Sequence, residues 1–94
     1  MKCYLAGPIS GKPDYNRAAF AEAAQKLRLQ DYEVFNPAAA NLEGLPLGRI
    51  MSHVLWWLCE EAEAIALLPG WRRSGGARIE WLLAKYLKLK VIYL

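Results

Sequence analysis

Metal-binding side chains are scarce in this chain: its 94 residues include two cysteines and one histidine. Cys3, Cys59 and His53 are scattered, whereas a zinc site needs about four closely spaced ligands, so no metal centre and no cofactor is expected. No pairing pattern joins the two cysteines, and both read as buried thiols of a reducing compartment. Long hydrophobic runs are missing too. No apolar stretch approaches the roughly 18 residues of a membrane span, and MKCYLAGPIS is broken by Gly7-Pro8 too early for a secretory leader. A cytoplasmic protein with no membrane partner is therefore expected. Charge of one sign is not in large excess. The net charge is +3, with acidic residues interspersed among basic ones, which argues against nucleic acid as a partner. With 55% hydrophobic residues, disorder is excluded.

What is present alternates. Lys2 to Ala6 is a short apolar run stopped by Gly-Pro, the pattern of a buried strand. From Asn16, Phe20, Ala23, Ala24 and Leu27 recur at helical spacing. Tyr32 to Phe35 reads as a second strand, ended by Asn36-Pro37 because proline lacks an amide donor and restricts its predecessor. A second helix is predicted from about Leu47 to Glu61, with Ile50, Val54, Trp57 and Leu58 on one stripe and Met51 and Leu55 beside it. Glu63 to Leu68 is apolar without alternation, as expected of a strand covered on both faces. A third helix follows Ser74-Gly75-Gly76, with Ile79, Leu82, Leu83 and Tyr86 predicted on its core stripe, and Val91 to Leu94 is a last strand. This order predicts one domain over residues 1–94: an α/β, Rossmann-like or flavodoxin-like three-layer sandwich with a parallel sheet of about four strands.

Ligands of such sheets bind at the carboxyl ends of the strands. The first of these ends, Gly7-Pro8-Ile9-Ser10-Gly11-Lys12, resembles a phosphate loop, but three residues rather than four separate the glycines and Pro13 stands where magnesium would need Ser or Thr. The same loop reads either as a cradle for a phosphate or ribose or as a turn needed for chain geometry. Glu80, in the first turns of the third helix, falls off the predicted core stripe and shares a face with Gly76, Ala77 and Ala84, where small side chains leave room for a ligand. The helix dipole there favours an ionised carboxylate, which suits a nucleophile; a solvated dipole partner is the alternative. Trp71 could stack on a base and Arg72 or Arg73 meet a phosphate, or the three could form a loop with a packing tryptophan. His53, without a titratable neighbour, reads as structural or surface.

Tyr4-Leu5-Ala6-Gly7-Pro8-Ile9-Ser10-Gly11, Asn16 with Phe20, Val34-Phe35-Asn36-Pro37-Ala38, Ala64 through Trp71, and Ser74 through Glu80 together resemble the nucleoside 2-deoxyribosyltransferase superfamily. The likeness is to its small bacterial and phage branch, and it extends to the 2-deoxynucleoside 5'-monophosphate N-glycosidases. It implies cleavage of an N-glycosidic bond by a glutamate that attacks the anomeric carbon, with another base or water as acceptor. By this resemblance Glu80 is the nucleophile, and Tyr4, on the first-strand loop, is counted with it among the catalytic residues. Gly7, Ile9, Ser10 and Gly11 fall with Tyr4 on the loop that lines the sugar and phosphate pocket in relatives; Asn36 lies on the second-strand loop near the base, and Ser74 falls where the monophosphate hydrolases carry a serine that meets the phosphate. Two positions depart from the pattern: Val54 and Glu63 stand where relatives have aspartates.

The expected function is thus N-glycosidic cleavage or deoxyribosyl transfer on a 2-deoxynucleoside or its 5'-monophosphate. The alternative is a nucleotide-binding module that catalyses nothing, for which Val54 speaks because an apolar group cannot replace a carboxylate in proton transfer. The surplus apolar surface of the second helix predicts a homodimer through that helix.

Overall fold

The computed structural model describes residues 1–9, 11–39 and 44–94. Four strands, β1 (Lys2–Ala6), β2 (Glu33–Phe35), β3 (Ala64–Leu67) and β4 (Lys90–Tyr93), form one sheet in the order β2-β1-β3-β4, and every neighbouring pair is parallel. Three helices connect them: α1 (Arg17–Leu29), α2 (Leu47–Glu60) and α3 (Gly75–Tyr86). The expected three-layer α/β architecture is the observed one, with strand and helix ends within a residue or two of those read from the sequence. Among the described residues, no helix is long and apolar enough to cross a membrane.

The two-residue period of a strand distributes the core between the faces. Cys3 and Leu5 of β1 pack with Phe20, Ala24 and Leu27 of α1. Tyr4 and Ala6 point the other way, into a cluster with Val54 and Leu58 of α2 and Ala77 and Ala84 of α3. That parity is why Tyr4 faces α3. Cys3 is buried as expected, and burial pushes its thiol up to about 11, whereas Cys59 is exposed on α2, contrary to the sequence reading.

Helix α3 corrects the sequence reading further. Its buried residues are Ala77, Glu80 and Ala84, while Ile79, Leu82 and Tyr86 are 53%, 63% and 84% exposed. The helix presents its small side chains to the sheet, which lets the two backbones approach closely. Of the predicted stripe Leu83 alone stays half-buried against the core, and the other three residues turn outward. On α2 the expected stripe holds, since Val54 and Leu58 are buried and Ile50 and Trp57 half-buried, with Trp56 exposed.

The loops after β1 and β3 touch each other at the carboxyl edge. A Cβ on Gly7 would stand 2.8 Å from Leu68 Cβ, so only glycine lets the two chains pass at this distance.

Candidate active site

A cavity of about 470 Å³ opens at that edge. Its floor is Tyr4; its walls are Gly7, Pro8 and Ile9 after β1, Pro37 and Ala38 after β2, Ile50, Met51 and Val54 of α2, and Arg73 through Ala77 with Glu80 of α3. Tyr15 also lines it, from a turn in which Asp14, Tyr15 and Asn16 all have φ between 50° and 59°. Consecutive non-glycine residues in that left-handed region cost roughly 1 to 2 kcal/mol each. Asn16 helps to hold the turn by donating from Nδ2 to the Pro8 carbonyl at 2.9 Å.

At the base of the cavity the Tyr4 hydroxyl donates to Glu80 Oε2 at 2.7 Å. Glu80 is 6% exposed, and among the described residues no cation pairs with it. Burial raises its carboxyl to about 7, opposed by the Tyr4 hydrogen bond. The sequence expectation of a carboxylate held ionised by the helix dipole is thereby corrected: Glu80 lies beyond the first turn of α3, where the dipole fades, and desolvation favours the protonated form. Tyr4 is held well above the ordinary tyrosine range, first by its own burial and then by the charge and hydrogen bond of Glu80, so it remains a neutral donor. No fully buried polar side-chain atom among the described residues lacks a partner. Oε1, which accepts no hydrogen bond there, therefore keeps contact with the cavity.

The start of α3 forms a second polar feature. Ser74 caps it, its Oγ accepting from the Ala77 amide at 3.2 Å, and the Gly75 and Gly76 amides precede the first intrahelical donor, Arg78, whose amide bonds the Ser74 carbonyl. Arg73 stands beside them on the cavity wall. Amides of a helix N-terminus together with a guanidinium can hold an anion.

Of the residues singled out from the sequence, Tyr4, Gly7, Ile9, Ser74, Gly76 and Glu80 line this one cavity. Ser10 lies outside the described residues. Gly11 is exposed with φ +79° and does not line the cavity. Asn36 turns inward on its own loop, its Oδ1 accepting from the Ala38 amide at 3.0 Å. Trp71 packs against Trp81, with ring centroids 5.1 Å apart, and against Tyr93; it does not line the cavity. Of its alternative readings, the packing tryptophan is the one observed. His53 is exposed, near the Phe35 ring. The sequence leaves Arg73 undecided and does not single out Tyr15, Met51 or Ile50 for the site; only their helical or loop spacing could have signalled them.

The chain belongs to the family described as Domain of unknown function (DUF4406), which it matches over residues 1–93. No curated protein matches the chain.

Proposed function

We propose that the chain cleaves the N-glycosidic bond of a 2-deoxynucleoside 5'-monophosphate, with Glu80 as nucleophile. The observation that carries this reading is the isolated, buried Glu80 carboxyl, held at one oxygen by Tyr4 and open to a cavity at the other. Burying a carboxyl without a cation costs stability, and such a group at the base of a cavity is a mark of catalysis rather than of packing. The resemblance of the motif residues to the nucleoside 2-deoxyribosyltransferase superfamily supplies the reaction.

In the first step Glu80 Oε1 forms a bond to the anomeric carbon as the carbon–nitrogen bond breaks. Its electron pair leaves with the base, which takes up a proton. In the second step water attacks the same carbon and releases the carboxylate. The hydroxyl stays on the sugar, and the water's remaining proton balances the one taken by the base. A second base in place of water would give transfer. The 5'-phosphate is read by Ser74, Arg73 and the Gly75 and Gly76 amides. Val54 on the wall favours the second reading, a nucleotide-binding module, since it leaves no carboxylate there to assist the departing base.

Incubation with the four deoxynucleoside 5'-monophosphates, with chromatography for free base, tests the proposal. Base release is expected, faster than from the matching nucleosides. Binding without release selects the module, and neither binding nor release refutes both. Ser74→Glu should weaken the monophosphate more than the nucleoside in calorimetry, because it sets a carboxylate against the phosphate.

The functional unit we propose is a homodimer. Helices α2 and α3 cover the same face of the sheet, and Trp56, Ile79, Leu82 and Tyr86 lie exposed on them, an apolar surface suited to a self-complementary contact. Leu82→Glu introduces two charges across a twofold axis and leaves the core untouched. Light scattering should show a dimer for the wild type and a monomer for this variant; a monomeric wild type at micromolar concentration would refute the assembly.

A further inference from the structure

The far edge of the sheet carries features that the cavity does not use. Strand β4 pairs with β3 alone among the described residues. Its Lys90 amide bonds the Glu63 carbonyl at 3.2 Å, and the Leu94 amide beyond it bonds the Leu67 carbonyl at 2.9 Å. In a parallel ladder alternate residues direct their amide and carbonyl groups to opposite sides. Lys90, Ile92 and Leu94 therefore face β3, and Val91 and Tyr93 turn theirs outward. Each exposes a donor and an acceptor.

The flank of this edge is aromatic and basic. Trp81 Nε1 donates to the Tyr93 hydroxyl at 3.2 Å. Lys85 lies over the Trp81 ring at 5.0 Å and Arg72 over the Trp71 ring at 5.4 Å. Lys88 is exposed in the turn that leads into β4. None of Arg72, Lys85 and Lys88 forms an ion pair among the described residues. The sole side-chain carboxylate between Trp71 and Leu94 is that of Glu80, buried at the cavity.

We propose that the outer edge of β4 docks an extended acidic peptide, which joins the sheet as a further strand. Main-chain bonds to Val91 and Tyr93 supply the pairing. Carboxylates that alternate along one side of the peptide meet Lys85, Arg72 and Lys88. A second copy of this chain fits the edge less well, because pairing β4 with β4 brings the same cations together across the axis. A nucleic-acid strand would meet the cations but leave the outward donors and acceptors without a regular partner. The proposal is independent of the chemistry assigned to Glu80.

The test uses the whole chain, with a synthetic peptide of alternating glutamate and valine, its lysine-and-valine counterpart, and oligothymidylate as probes. Amide hydrogen exchange followed by NMR should slow at Val91 and Tyr93 on addition of the glutamate peptide, and stay unchanged at Lys90 and Ile92. The glutamate peptide should bind at least about tenfold more tightly than the lysine peptide, a difference of about 1.4 kcal/mol. Val91→Pro removes an outward amide and no bond to β3, so it should abolish the protection while the fold remains. Lys85→Glu, away from the strand, should weaken the peptide by several fold and decides the matter if the proline variant does not fold. The proposal is overturned by absence of protection, by equal binding of the two peptides, or by wild-type affinity in the folded variants. It also falls if oligothymidylate binds more tightly with exchange at Val91 and Tyr93 unchanged, or if protein concentration alone protects those amides.

Discussion

Glu80→Gln is expected to reduce base release by more than about 1,000-fold, a loss of about 4 kcal/mol of transition-state stabilisation, and at the same time to make the protein more stable at alkaline pH. The second half follows from linkage. The folded carboxyl titrates at about 7 against an ordinary value of 4.5, so the protonated form is the one the fold prefers. Its stabilising contribution is fully present below pH 4.5 and is lost as pH rises through about 7. Above that the fold carries the cost of a buried charge, at most about 3 kcal/mol, since each tenfold change in proton affinity corresponds to about 1.36 kcal/mol. Glutamine keeps the shape and does not titrate. Melting followed by circular dichroism should therefore place the variant and wild type close together at pH 4.5, with the variant higher at pH 8 by up to about 12 to 24 °C. A residue that served packing alone would show the stability change without the loss of activity. Activity within threefold of wild type would remove Glu80 from the proposed chemistry.

The same residue shows how far the sequence can be read. The apolar runs ended by Gly7-Pro8, Asn36-Pro37 and Pro69-Gly70 locate the strands, because a run too short for a helix and closed by proline has few other places to go. The cavity edge follows from the alternation of strands and helices. The orientation of α3 does not. Ile79, Leu82, Leu83 and Tyr86 recur at helical spacing and read as a core stripe, yet close approach to β3 selects the small Ala77 and Ala84; Leu83 packs half-buried against them, and Ile79, Leu82 and Tyr86 are left outside. Hydrophobic periodicity shows that a helix has an apolar face, but not that this face is the one turned to the sheet.

The state of Glu80 is hidden for a related reason. Its place in the first turns of a helix is visible, and with it the dipole that favours a charge. The depth at which it sits depends on Tyr4, 76 positions away in the chain, and on the small face of α3, with Ala77 and Ala84, packing against the sheet. Both are consequences of strand parity and helix packing, which appear only once the layers are assembled. Trp71 itself is legible as aromatic and near the edge; that it closes the core with Trp81 and Tyr93 is not.

Tyr4→Phe tests the pair from its other side. The phenyl ring keeps the stacking on Phe35, whose centroid lies 5.6 Å away, so the change deletes the hydroxyl and little else. Tyr4 donates to the charged form of Glu80 and holds its carboxyl below the value that burial alone would set. Without that bond the carboxyl is protonated over a wider range, and the acid limb of the kcat/KM profile should move to higher pH. A hydrogen bond to a charged group is worth about 1.5 to 3 kcal/mol, so activity at pH 7 is expected to fall about 10- to 100-fold and to recover part of the loss as pH is raised. Tyr4 would then be a positioning residue that sets the charge and aim of the nucleophile. A purely structural role would instead lower kcat/KM by the same factor at every pH, and a profile superimposable on that of the wild type would show that the 2.7 Å contact does not govern the carboxylate at all.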